Sequence, residues 1–248
     1  MKQPSTVRVL VWDLPLRIFH WLFAASVSAA LLFAIAGEHS SLFAWHQIFG
    51  LSAAFLLVAR IVIGLFGSRY ARLSELFSAP MRIGHYISDT IQGKASPSTG
   101  HNPLASVVYL AMFTLLALVI ITGLNMDSEF AEESHEFFAY SLLALICVHL
   151  TGLALHTIRT RENVALSMIT GRKLAPSEDG IKSSRPILGL GVLAASVFFI
   201  GKLFASYDSV NRTVTLPLTN TVITLGEGED EGREGGFGER EEDDDDDD

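Results

Sequence analysis

The sequence predicts an all-α integral membrane protein: a four-helix transmembrane bundle followed by a fifth transmembrane helix and a disordered acidic tail. Three observations carry this. Of 248 residues, 49% are hydrophobic and the mean hydropathy is +0.36. The apolar residues gather into five blocks, Leu16–Ala36, Trp45–Phe66, Leu104–Leu124, His135–Ile158 and Ile187–Tyr207. Each block is close to the roughly 20 helical residues that cross a bilayer core. Finally, the connections between blocks alternate between basic and non-basic.

That alternation predicts the topology. Lys2, Arg8 and Arg17 precede or open the first block. Arg69, Arg72, Arg82 and Lys94 lie between blocks two and three, and Arg159, Arg161, Arg172, Lys173, Lys182 and Arg185 between blocks four and five. The connections 37–44 and 125–134 contain neither Lys nor Arg, and the second carries Asp127, Glu129, Glu132 and Glu133. Basic loops stay in the cytoplasm, so the N-terminus is expected inside and, after five spans, the C-terminus outside, in a bacterial inner membrane. The first block superficially resembles a secretory signal ending at Ala34-Ile35-Ala36. It exceeds the roughly 7–15 apolar residues of such a signal and carries His20, so it is read as a retained span.

The chain divides into a membrane domain over 1–174, a linker and fifth span over 175–207, and an outer tail over 208–248. Within the tail, alternating Val and Thr in RTVTLPLTNTVITL predict a small strand pair. Residues 226–248 hold fourteen acidic and two basic residues; the whole chain is −9, so everything before this stretch is +3. Such a stretch cannot bury a core and is expected to be disordered. It could act as an electrostatic lure for a basic soluble partner on the outer face. In the connection 67–103, residues 72–91 are expected to include a short helix on the cytoplasmic surface, and Pro97 and Pro103 mark a loop. The single cysteine, Cys147, excludes an internal disulfide, a CxxC metal site and covalent CxxCH haem attachment. It is expected to be a small core residue.

Five of the eight histidines lie in or at the ends of apolar blocks: His20, His46, His135, His149 and His156. Ionisable groups are costly in lipid and mark functional positions with partners. His135 and His149 are fourteen residues apart, so on one helix they share a face, about 40° apart around the axis and about 21 Å along it. His46 opens the second block on the outer side and His20 lies near the inner end of the first. The outer level therefore holds His46 and His135, and the inner level His20 and His149. Two levels with two histidines each fit two bis-histidine haem b sites between bundle helices. His156, about 10.5 Å beyond His149 on the same face, is the alternative inner ligand or a contact for a propionate or quinone. Arg60 lies about 21 Å inward of His46, at the inner level, as a propionate partner, with Arg17 a weaker one. Gly50 and Gly152 would let a flat macrocycle lie against a helix, and Phe19, Trp21, Phe137 and Phe138 could border it. His39, His85 and His101 lie in loops and suggest nothing specific.

VWDLPLRIFHWLFA, HQIFGLSAAFLLVARIVIGLFG, GHNPLASVVYLAMFTLLALVIITG and HEFFAYSLLALICVHLTGLALHTIRTRENVALSMITGRK together resemble the prokaryotic cytochrome b561 family. That family includes the b-type cytochrome subunits of nickel–iron hydrogenases. The resemblance covers roughly residues 7 to 173; the fifth span and acidic tail lie beyond it. It implies two haems held by His20, His46, His135 and His149, and an electron-transfer subunit of a respiratory oxidoreductase rather than a stand-alone enzyme. It also implies quinone or quinol as one redox partner and a c-type cytochrome, or an oxidoreductase or hydrogenase subunit, as the other. Membrane lipid is the surroundings, and no nucleic acid is expected. The rival readings are a proton-relay or transport subunit and a membrane anchor without redox haem. The absence of Asp and Glu from the middle of every span argues against the first, and the four depth-paired histidines against the second.

Overall fold

The computed structural model describes residues 6–37, 42–92, 99–126 and 128–225. The acidic stretch 226–248, together with His39, Lys94 and Asp127, lies outside them. Five helices are long and apolar enough to cross a membrane: α1 (Leu14–Gly37), α2 (Phe43–Phe66), α5 (Pro103–Gly123), α6 (Glu129–Thr160) and α8 (Pro186–Ala205). The protein is therefore an all-α, multi-pass membrane protein. The short helices α3 (Leu73–Phe77) and α4 (Ala79–Ile91) supply the helix expected in the long connection, and α7 (Val164–Thr170) follows α6.

Local chemistry sets the helix ends. Asn102 accepts from the Ala105 N–H at 2.7 Å and Pro103 occupies the first turn, so α5 starts abruptly. Ser128 caps α6, whose first turn carries Glu129 and Glu132 and whose last carries Arg159, each sign matching the helix dipole. Most of the acidic segment expected as a loop is thus the first turns of α6. The helix starts at Glu129 and not at His135, because a capped acidic turn is as helical as an apolar one. Arg161 (φ 57°) and Gly171 (φ 78°) end α6 and α7 in the left-handed conformation.

α1 packs along α2 and α5 along α6; the two pairs meet chiefly through α2 and α5, and α8 leans on α1 and α2. α2 is the central helix, with 39% of its apolar window buried against 6% for α6. The sparse contact between the pairs matters, because the histidines face across it. Cys147, expected in the core, is exposed on α6.

The two ends of the bundle are closed differently. At one end β1 (Thr6–Leu10) pairs antiparallel with β2 (Arg172–Pro176), from Thr6 opposite Pro176 to Leu10 opposite Arg172. The pairing runs on as Val11 and Trp12 donate to the Gly171 carbonyl at 2.8 and 3.0 Å. This sheet was not anticipated. Its strands come from opposite ends of the membrane domain, and a five-residue strand carries little periodic signal. At the other end the expected strand pair forms, β3 (Thr213–Thr215) with β4 (Val222–Thr224). Its Val214 and the following Leu225 are buried with Ala44, Ile48, Phe199 and Leu203. We call these the sheet end and the hairpin end.

Asp13 joins the first two spans at the sheet end. It is fully buried; Oδ1 accepts from the Leu16 N–H at 3.2 Å and Oδ2 from the Ser68 N–H at 2.6 Å. One carboxylate therefore caps the start of α1 and holds the chain leaving α2.

Candidate haem sites

Near the hairpin end, His46 of α2 and His135 of α6 face each other. Their ring centroids are 6.1 Å apart and their planes cross at 86°. With a metal–imidazole bond of about 2 Å and a ring radius of about 1.1 Å, two imidazoles trans on one metal have centres roughly 6.2 Å apart. The spacing therefore fits two axial ligands of a single iron.

The ring orientations fit as well. His46 Nδ1 lies 2.9 Å from the Ala30 carbonyl oxygen of α1, and His135 Nδ1 lies 3.0 Å from the Val119 carbonyl oxygen of α5. A carbonyl can only accept, so each Nδ1 carries the hydrogen and each Nε2 keeps its lone pair. Backbone contacts of this kind orient metal-binding imidazoles. Thr122 Oγ1 lies 3.3 Å from His135 Nδ1, and Gly123 makes room for the ring: a Cβ there would stand 2.9 Å from His135 Cε1. One turn from His46, a Cβ on half-buried Gly50 would meet nothing within 4 Å, which leaves space where a macrocycle edge could lie.

At the sheet-end level, His20 of α1 and His149 of α6 are half-buried and lie within Coulombic range of each other. The Tyr109 ring is 5.3 Å from His149. Arg60 of α2 is buried at 5% exposure, its guanidinium 5.7 Å from the centre of the Phe113 ring and its Nη1 without a hydrogen-bond partner. A buried cationic nitrogen with an unmet donor suits a carboxylate that arrives with a ligand. Asp13 lies within electrostatic range of Arg60, but its two oxygens already accept from the main chain. A Cβ on Gly152 would also meet nothing within 4 Å.

Several expected residues lie elsewhere. Arg17 Nη1 donates to the Ile169 carbonyl at the end of α7, which turns the guanidinium towards the α1–α7–α8 groove. His156 is exposed. Trp21 donates to the Met168 carbonyl at 3.2 Å and is 49% exposed; Phe137 is 66% exposed, with Phe138 against it. Phe19 is buried and packs on Phe23 and Phe113.

His101 suggests nothing specific as a loop histidine in the sequence, yet its ring lies 4.6 Å from Trp12 and 4.9 Å from Tyr109, at the sheet-end group. A usable signal was there. Asn102-Pro103 is a helix start, so the residue just before it sits at the mouth of the bundle.

Among the described residues no three or more His, Cys, Asp or Glu side chains converge as they would around a bare metal ion. Paired histidines alone suit a metal whose other four positions are filled by a macrocycle.

The family model of the prokaryotic cytochrome b561 proteins matches residues 11–171. A probable Ni/Fe-hydrogenase B-type cytochrome subunit of Rhizobium leguminosarum bv. viciae is 24% identical over 214 residues, covering 67% of this chain and 89% of the relative. Its namesake in Bradyrhizobium diazoefficiens is 24% identical over 213 residues, covering 66% and 85%. The probable Ni/Fe-hydrogenase 1 B-type cytochrome subunit of Escherichia coli K12 is 27% identical over 157 residues, covering 53% and 65%. No solved structure matches. With its five apolar helices and a match across four of them, the chain belongs to the prokaryotic cytochrome b561 family, membrane proteins that carry electrons on haem b.

Proposed function

We propose that the protein binds two haems b, one between His46 and His135 and one between His20 and His149, and passes electrons between a quinone pool and a protein partner. The observation that carries this reading is the His46–His135 pair, with matched spacing and both Nε2 atoms free. When bound, each haem would supply an iron that changes oxidation state by one electron, and holding it with two imidazoles would favour electron transfer over oxygen chemistry.

The chain's own residues do the rest. The Ala30 and Val119 carbonyls hold the hairpin-end imidazoles in one tautomer. Arg60 would offer its unpaired Nη1 to a propionate of a haem held at the sheet end. The spans exclude water, so charge on either site is felt strongly in the low dielectric. The two levels are about 21 Å apart along α6, which divides the crossing into steps.

The basic connections support placing the sheet end in the cytoplasm and the hairpin end outside, in a bacterial inner membrane. The named relatives support a hydrogenase or similar oxidoreductase as one partner. Quinol is proposed as the other redox partner, with a c-type cytochrome as an alternative acceptor on the outer face. A reduced-minus-oxidised spectrum of the purified protein, with haem quantification, tests the reading. Two b-type haems per chain, reducible by a quinol, are expected. A protein without haem, or with one, overturns it.

A further inference from the structure

The four residues before α5 are fixed with unusual thoroughness for a connection. Thr99 Oγ1 donates to Asp179 Oδ2 at 2.7 Å, and Lys173 Nζ, on β2, donates to the Thr99 carbonyl at 3.0 Å. Gly100 lies against Tyr70, so closely that a Cβ would stand 2.5 Å from the ring. Tyr70 is itself held by its hydroxyl, which donates to the Asp179 carbonyl at 2.9 Å. Asn102 is committed to capping α5. Trp12, whose Nε1 donates to Ser167 Oγ at 2.9 Å, forms the platform for the His101 ring. Everything in the segment except His101 is used to hold it in place.

The His101 ring is not used in that way. It makes no hydrogen bond among the described residues, and it lies within electrostatic range of Arg60, Lys173, His149 and His20. Crowding by protein atoms, with the positive charges of Arg60 and Lys173 added, lowers its pKa to about 3. At neutral pH it is therefore an uncharged imidazole with one N–H to donate. An axial role does not suit it, because its ring packs on Tyr109 at 4.9 Å and on Trp12 at 4.6 Å and faces no second histidine ring among the described residues, while Tyr109 packs on His149 at 5.3 Å. What remains near it is the unpaired Nη1 of Arg60, a second donor at the same end of the bundle. Two donors within electrostatic range of each other, one cationic and one neutral, match a carboxylate with two oxygens.

We propose that His101 is a positioning residue of the sheet-end haem site, its ring N–H donating to a haem propionate that Arg60 also binds. This rests on the two-haem reading above. On this proposal the β1–β2 sheet end has a purpose in the site: Trp12 from the segment after β1 and Lys173 from β2 place the loop that carries the donor. The donor's effect on the haem is electrostatic. A propionate charge less well neutralised stabilises ferric iron, so losing the donor should lower the potential of that haem alone.

The test is spectroelectrochemical titration of the full-length protein in detergent, as wild type, His101→Leu and His101→Gln, with haem content measured on each. Two haems are expected in all three. In His101→Leu the midpoint of one haem should fall and the other stay in place. In His101→Gln, which keeps an N–H donor, both should remain near wild type. Equal shifts in the two variants would mean a steric role, and unchanged potentials in His101→Leu no role; either overturns the proposal. Loss of one haem in both variants would make His101 a ligand and also overturn it. Loss in His101→Leu with a wild-type His101→Gln protein supports it. A wild-type protein without haem would instead defeat the underlying reading.

Discussion

His46 and His135 each send Nδ1 to the carbonyl of a residue on the preceding helix, sixteen positions earlier in the chain: Ala30 for one, Val119 for the other. The α1–α2 and α5–α6 hairpins thus present their imidazoles in the same way, and the two rings meet across the gap between the hairpins. Neither ring is held by the helix it must face. A site of this kind depends on both hairpins being formed but adds little to hold them together until a metal bridges them.

The first prediction follows from that pairing. His46→Ala and His135→Ala should each abolish the same haem, and His20→Ala and His149→Ala the other, each lowering haem content by about half. Haem assay and low-temperature spectra of the four variants check it. Loss of one and the same haem from the His46 and His20 variants would show the pairing to be wrong.

Gly123 gives a subtler probe of the same site. A methyl group there, on the last residue of α5, would stand 2.9 Å from the His135 ring. Gly123→Ala should displace the imidazole and loosen the hairpin-end haem, while the protein still folds, since alanine suits a helix better than glycine. Reduced occupancy or a high-spin component confined to that haem is the expected spectrum. A wild-type spectrum would mean that the ring has room to shift without consequence.

Asp13 is a stability prediction. Removing its carboxylate leaves the Leu16 and Ser68 N–H groups unsatisfied and takes away a negative charge within range of buried Arg60. A buried N–H left without its acceptor typically costs roughly 1–3 kcal/mol. Asp13→Ala should therefore lower the unfolding temperature markedly, and Asp13→Asn, which keeps one acceptor, less so. Thermal unfolding followed by size-exclusion profile separates the two, and equal stability of both with wild type would remove Asp13 from its linking role.

The five spans and the depth pairing of the histidines were legible because both depend on helical spacing within one continuous apolar segment. The start of α6 was not, since Glu129 and Glu132 read as a loop until Ser128 is recognised as a cap. Arg17 was misplaced for a different reason: the carbonyl it serves, on Ile169, is brought there only by the path of the chain after α6. The same long-range closure hid the β1–β2 sheet and the placement of His101. Its partners Trp12, Tyr109 and Arg60 lie on three separate stretches of sequence, and no local pattern connects them.

The last prediction concerns orientation. The sheet end carries the basic connections, with Arg69, Arg72, Lys182 and Arg185 near it, and five spans put the hairpin end on the opposite side. A periplasmic reporter fused after Asp248 should be active only outside the cytoplasm. The single Cys147 allows an independent check: after its replacement by Ser, one new cysteine can be placed at Leu218 in the hairpin turn, which is 73% exposed, or at exposed Lys182 beside the sheet end. A membrane-impermeant maleimide added to intact spheroplasts should label Leu218→Cys and spare Lys182→Cys, and inverted vesicles should reverse this. The result also decides which of the two proposed haem sites would meet an outer acceptor, because His46 and His135 lie towards the hairpin. Labelling of both positions from one side would mean that one of the five helices does not cross. The reverse pattern would place the His20–His149 level, Arg60 and His101 on the outer face, and with them the entry point for electrons from a soluble partner.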